Sequence, residues 1–115
     1  MNKRDLGDFG EDKAVEYLVK HGYKIVNRNF RYARGEIDII ACDQQFIVFV
    51  EVKLRRSLKY GTPQSSVGQK KQEKIRRTAQ YYLLSNDSKK KLRFDVISIQ
   101  IRDGKGKLKH FKNAF

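Results

Sequence analysis

Asp38, Glu51 and Lys53 lie within the run GEIDIIACDQQFIVFVEVKLR, residues 35–55, and their types and spacing suit shared chemistry. Two carboxylates brought close together repel, which raises at least one pKa unless a cation sits between them. Carboxylate oxygens joined by a backbone carbonyl, here that of Val52, are the hard ligands that magnesium or manganese (Mg2+ or Mn2+) selects, usually with several waters retained. A lysine two residues after the second carboxylate shares its face of a strand. From there it can orient or help deprotonate an attacking water and neutralise charge developing on a phosphate.

The elements that must bring these groups together are two strands. Glu36–Ala41 and Phe46–Leu54 are rich in Ile, Val and Phe, and only a few residues around Cys42–Gln45 join them, so they read as a hairpin. A turn centred between Gln44 and Gln45 pairs residues whose numbers sum to 89, placing Asp38 opposite Glu51 and Glu36 opposite Lys53. Directly paired side chains share a face with Cβ atoms roughly 5 Å apart. A slip of one residue would send Asp38 and Glu51 to opposite faces. The alternative reading is a set of solvated cross-strand ion pairs on an exposed sheet face; Ile40, Ile47 and Phe49 on the same face argue against simple exposure.

Helical segments on either side carry further candidates. Between Asp5 and His21, Phe9, Ala14, Tyr17, Leu18 and Val19 recur at helical spacing, and Gly22 supplies a stop. Glu11 falls on the stripe of Ala14, Val15 and Leu18, where a carboxylate needs a partner; the plainer role is a wet glutamate near a helix N-terminus. Gly7 and Gly10 leave room for another backbone or a phosphate. A second helix, capped by Ser65 or Ser66 and running to about Leu84, has the apolar line Val67, Ile75, Ala79, Tyr82 and Leu83. Lys71 lies in that line with Gln72 beside it, so both can reach the charged patch and hold a phosphate or water. The plainer role for Lys71 is a stem that covers the core while its head reaches water. Lys70, Lys74, Arg76 and Arg77 form a basic face suited to phosphate contact without base reading. Arg34, Arg55 and Arg56, in the turn before Glu36 and the basic loop Arg55–Pro63, add to the same grip.

Tyr23–Arg31 reads as a strand before the hairpin and Leu92–Ile101 as a fourth, with a turn at Asp103–Gly106 and the tail Leu108–Phe115 as an edge strand. The order αβββαβ, with the fourth strand brought parallel to the third by the helical crossover, predicts a single α/β domain with a mixed sheet. The 115 residues carry a formal charge of +13, from 26 Lys and Arg against 13 Asp and Glu. That excess attracts polyanions, with nucleic acid ahead of an anionic membrane surface. Cys42 is the single cysteine and His21 and His110 the two histidines, which excludes an intrachain disulfide and argues against a structural zinc site. The opening MNKRDLGDFG lacks the apolar run of a signal peptide, and Phe46–Val50 is too short to span a bilayer, so a cytoplasmic protein without a membrane partner is expected.

The segments GDFGEDKAVEYLVKHGYKIVNRNFR, GEIDIIACDQQFIVFVEVKLR, VGQKKQEKIRRTAQYYL, LRFDVISI and HFKNAF together resemble the YraN family of bacterial proteins, whose core is similar to the PD-(D/E)xK nuclease superfamily. The resemblance implies a restriction-endonuclease-like αβββαβ core with helices flanking the sheet. It makes Asp38 the aspartate of the motif, Glu51-Val52-Lys53 its E-x-K, Glu11 the first-helix glutamate of the resolvase-like branch, and Lys71-Gln72 the Lys-Gln pair of the second helix. Ile37 stands where the motif has proline, which removes no ligand. The function so implied is a Mg2+- or Mn2+-dependent endonuclease for DNA, branched or otherwise structured DNA included, with RNA as the alternative polyanion and a homodimer as an open assembly. The rival from another class is a non-catalytic nucleic-acid-binding adaptor that retains the fold.

Overall fold

The computed structural model describes residues 3–55, 67–102 and 105–115. Helix α1 spans Lys3–Lys20, followed by strands β1 (Lys24–Tyr32), β2 (Gly35–Cys42) and β3 (Phe46–Arg55). Helix α2 (Gln69–Ser85) then leads to β4 (Lys91–Arg102) and β5 (Lys105–Phe111). The single α/β domain and its element order are as expected, whereas Ser65, Ser66, Arg56, most of the basic loop and part of the Asp103–Gly106 turn lie outside the described residues.

Each boundary has a local cause. Gly22 ends α1 at φ +88°, a region that favours glycine. Its N–H donates to Val19 O at 3.2 Å and that of Tyr23 to Leu18 O at 3.0 Å, the paired bonds of a Schellman cap. The β2–β3 turn has no Asn-Gly, and Asp43 does the work instead. Its Oδ1 accepts the N–H groups of Gln45 at 2.8 Å and Phe46 at 2.7 Å. Helix α2 starts from Gly68 without a side-chain cap bond, while Gln72 Nε2 donates to Val67 O at 2.9 Å and fastens the chain just before it.

The five strands run in spatial order β1-β2-β3-β4-β5, with β3 and β4 parallel and the other neighbours antiparallel. Ala14 and Leu18 of α1 pack on Ile39, Ala41, Val48, Val50, Ile97 and Ile99. Ile75, Ala79 and Tyr82 of α2 pack on Ile40, Ile47, Phe49 and Val96 across the sheet. The alternation along β2 and β3 thus feeds two cores. Val19, expected on the apolar line of α1, is 56% exposed. Gly10 faces Leu54 and Val52, with Leu54 Cδ1 3.4 Å from a Cβ placed there, so the room it leaves admits strand side chains.

A buried polar network fastens the tail. Asp95 is fully buried and accepts from Arg93 Nε and Nη2, both at 2.9 Å, from His110 Nε2 at 2.6 Å and from the Asn113 N–H at 3.0 Å. Arg93 also donates to the Tyr23 hydroxyl at 2.6 Å, and Ala114 N bonds to Phe94 O at 2.7 Å. The expected edge strand therefore becomes β5, extended by an anchored end. No described helix is long and apolar enough to cross a membrane.

Candidate active site

The hairpin register is the expected one: β2 and β3 pair Cys42–Ile47, Ala41–Val48, Ile40–Phe49 and Ile39–Val50. The ladder then stops. From Ile39 back to Gly35, β2 stays paired with β1 through Ile39–Arg28, Ile37–Phe30, Glu36–Arg31 and Gly35–Tyr32, while β3 stays paired with β4 as far as Arg55–Gln100. The sheet forks at the residue after the last common pair, and that residue is Asp38. Its Oδ2 accepts the Val52 N–H at 2.8 Å, a side chain doing what a main-chain carbonyl does elsewhere in the ladder.

The fork opens a cleft of about 460 Å³ under the start of α2. Acids Glu36, Asp38 and Glu51 meet bases Arg34, Lys70, Lys71 and Lys74 there, over Gly35 and Ile75. Gly35 is required by packing, because a Cβ at that position would overlap Thr78 Oγ1 and lie 3.3 Å from the Lys74 carbonyl oxygen. Glu51, only 7% exposed, has Lys53 Nζ at 3.5 Å and the Lys71 ammonium both on Oε1.

Burial, and then the charge of Glu51, push Asp38 up to about 7 against the pull of the Val52 N–H. Burial and the neighbouring Lys71 push Lys53 below its ordinary value. Burial alone would lower Lys71 too, but Glu51 outweighs it and raises Lys71. A carboxyl raised to about 7, a lysine held below its ordinary value and another held above it therefore gather around Glu51, the kind of divergence found where protons are moved.

The remaining expected residues fall as follows. Glu11 is half-buried on α1; burial raises its pKa against the pull of Arg28 and the Asn29 side chain, and its charge acts on Asp38. Its Oε1 is buried without a hydrogen bond, with Arg28 Nη2 at 3.6 Å. Among the described residues no three His, Cys, Asp or Glu side chains gather closely enough to hold one ion. The side chain of Gln72 is engaged by Val67 O, and the N–H of Val52 by Asp38. Lys70, Lys71 and Arg34 line the cleft, whereas Arg55 at the end of β3 does not. Glu36, expected opposite Lys53, lies 3.6 Å from Arg31 instead, because β2 keeps company with β1 beyond the fork.

Sequence reasoning passed over Asn29. It sits between the pairs Arg28–Ile39 and Phe30–Ile37, in register with Asp38, with φ +54°. A non-glycine residue in the left-handed region inside a strand is uncommon, and Asn tolerates it best. The Asn-Arg-Asn run of residues 27–29 was the available signal.

The profile of the "Uncharacterised protein family UPF0102" matches residues 10–99, which include every cleft residue named above. The chain belongs to UPF0102. Relatives named "UPF0102 protein" include one from Caldicellulosiruptor bescii, 50% identical over 120 residues with both chains covered in full, and one from Alkaliphilus oremlandii, 51% identical over 118 residues, again in full. Another, from Persephonella marina, is 54% identical over 110 residues, covering 95% of this chain and 91% of its own. Membership of UPF0102 fixes the family and leaves the chemistry to be argued from the cleft.

Proposed function

We propose that the chain is a divalent-metal-dependent nuclease that hydrolyses phosphodiester bonds of DNA, built as the PD-(D/E)xK resemblance implies. The observation that carries this is the fork, where Asp38 and Glu51 meet from neighbouring strands beside Lys53, with Asp38 fixed by the Val52 N–H. Two carboxylates suit magnesium or manganese, which take one or two such ligands and fill the remainder with water and substrate phosphate. When bound, the ion supplies Lewis acidity to the phosphate and makes water acidic enough to attack at neutral pH.

The side chains supply the rest. Asp38 and Glu51 hold the ion, with the Val52 carbonyl oxygen as the proposed third oxygen. Lys53, its pKa lowered by burial, steers the attacking water and can take its proton at Nζ. Lys71 carries a firm positive charge to the phosphate, and Lys70, Lys74 and Arg34 grip the neighbouring backbone. Glu11 acts on the pair through its charge. A net charge of +13 favours a polyanionic partner such as DNA.

A second reading, a non-catalytic nucleic-acid adaptor, is favoured by the Lys71 ammonium on Glu51, which balances that carboxylate without a metal. Nicking of plasmid and branched DNA in Mn2+ decides between them. The nuclease reading expects cleavage that Asp38→Asn abolishes and Lys53→Ala slows by about 10²–10⁴-fold. Binding without cleavage across those substrates would leave the adaptor.

A further inference from the structure

The cleft does not end at the carboxylates. Past Gly35 it continues as a groove of about 280 Å³ between the β1–β2 turn and α2, bordered by the cations Arg34, Lys74 and Arg77 and by no acid. Arg34 and Lys74 border both spaces, so the groove is an extension of the cleft. Tyr32 lines it as well, with its ring parallel to that of Tyr81 within 6° and the centroids 3.6 Å apart. The stack is anchored inward through Phe30, 6.4 Å from Tyr81 and edge-on to Tyr82 at 5.2 Å, and Tyr82 reaches Phe49 in the core. Outward it is open: Tyr32 is 39% exposed and Tyr81 42%.

A flat aromatic platform with a supported inner face and a wet outer end, flanked by cations alone, matches a polymer that alternates planar bases with phosphates. Bases inside a duplex are already stacked on both faces, so away from a duplex end a base can extend the Tyr32–Tyr81 stack only from an unpaired strand. We propose that this groove takes an unpaired stretch of DNA next to the scissile phosphate, one base on Tyr32 and its phosphates against Arg34, Lys74 and Arg77. The placement of the scissile phosphate rests on the nuclease reading; the strand preference does not. The substrate class is then a junction between duplex and single strand, such as a fork or flap.

The test is binding in EDTA, where cleavage plays no part, by fluorescence anisotropy with a labelled oligo-dT, a blunt duplex of equal length and a forked duplex. Tyr32→Ala is expected to weaken oligo-dT and fork binding by about 5- to 100-fold and blunt-duplex binding by less than about 2-fold, with Tyr32→Phe restoring the stack. Arg77→Ala, on the exposed side of α2, is expected to weaken oligo-dT binding and reduce its salt slope by about one. Equal loss on duplex and single strand, or no loss with either variant, overturns the groove. A protein that binds the fork through Tyr32 but never cleaves in Mn2+ keeps the groove and loses the nuclease reading. Cleavage with no Tyr32-dependent preference for unpaired strands does the reverse.

Discussion

Asp38 and Asp95 stand on opposite sides of β3: Asp38 precedes Ile39, which pairs with Val50, and Val50 pairs with Asp95 on the other side. Both carboxylates are mostly buried, yet their surroundings differ. Asp95 takes two bonds from Arg93, one from His110 and one from a backbone N–H. Burial pushes its pKa up, but His110 and Arg93 outweigh it and hold the group below the ordinary carboxylate value. Asp38 has one backbone donor and faces another acid, so burial wins and its pKa rises to about 7. Burial alone thus does not decide a carboxyl's pKa; the supply of donors does. The fold satisfies the aspartate that anchors its tail and leaves the one at the fork with a single backbone donor.

The largest expected effect is on the satisfied side. Asp95→Asn leaves the Arg93 guanidinium buried without its carboxylate, and removing one partner of a buried pair typically costs about 3–5 kcal/mol. Urea unfolding at pH 7 measures the loss. The backbone amides of Asn113 and Ala114, tied to Asp95 and Phe94, should also exchange faster. A change below about 1 kcal/mol would mean that the network is decoration, and the contrast with Asp38 would collapse.

At the fork the sign reverses. With its folded pKa at about 7 against an ordinary value of 3.8, Asp38 binds its proton more tightly in the native state. Its contribution to stability is therefore fully present below about pH 4 and is lost as pH rises through 7. In EDTA at pH 8, Asp38→Asn is expected to stabilise the protein by on the order of 1–3 kcal/mol, an advantage that shrinks on acidification toward pH 4. Asp95, whose pKa is lowered, behaves oppositely: its contribution is present above its unfolded value and is lost as pH falls through its folded one. Urea midpoints for the wild type and both variants between pH 3 and 8 give the two profiles. An Asp38→Asn protein weaker than wild type at pH 8 would show that the fork is already balanced.

The two sites were unequally legible in the sequence, for a physical reason. The Asp38–Glu51 alignment follows from a short loop and an apolar alternation that tolerate few registers, so hairpin arithmetic reaches Ile39–Val50 correctly. The same arithmetic overshoots at Glu36, because it assumes the ladder continues. Nothing local announces that β2 will leave β3 and follow β1, since the divergence depends on Asp38 itself taking the place of a main-chain partner. The Asp95 network escaped notice because Arg93 and Asp95 look like solvated charges in a strand. Their burial is set by Tyr23, 70 residues away from Arg93, and by His110, and such contacts leave no pattern in a window of sequence. Gln72 fell between the cases: its position on α2 was read correctly, and its bond to Val67 O answers a need for anchoring that appears only once Gly68 is seen to begin the helix without a side-chain cap bond.

Lys71→Met sharpens the comparison with the smallest change in stability. The Lys71 side chain is 44% exposed and Glu51 retains Lys53 at 3.5 Å, so solvent screening holds the loss below about 1 kcal/mol. Its effect is on protons. Lys71 helps lower Lys53, so its removal should let the Lys53 pKa climb back toward 10.5. The charge of Asp38 raises Lys71, and this coupling is reciprocal, so losing the ammonium should move the Asp38 midpoint above about 7. Carboxyl and lysine side-chain NMR titrations read both shifts in the same sample. At Asp95 the same variant should change nothing, because its donors all come from Arg93, His110 and the Asn113 backbone. Movement of Asp95 together with Asp38 would mean that the two carboxylates share one electrostatic field across β3 and are not separately designed sites.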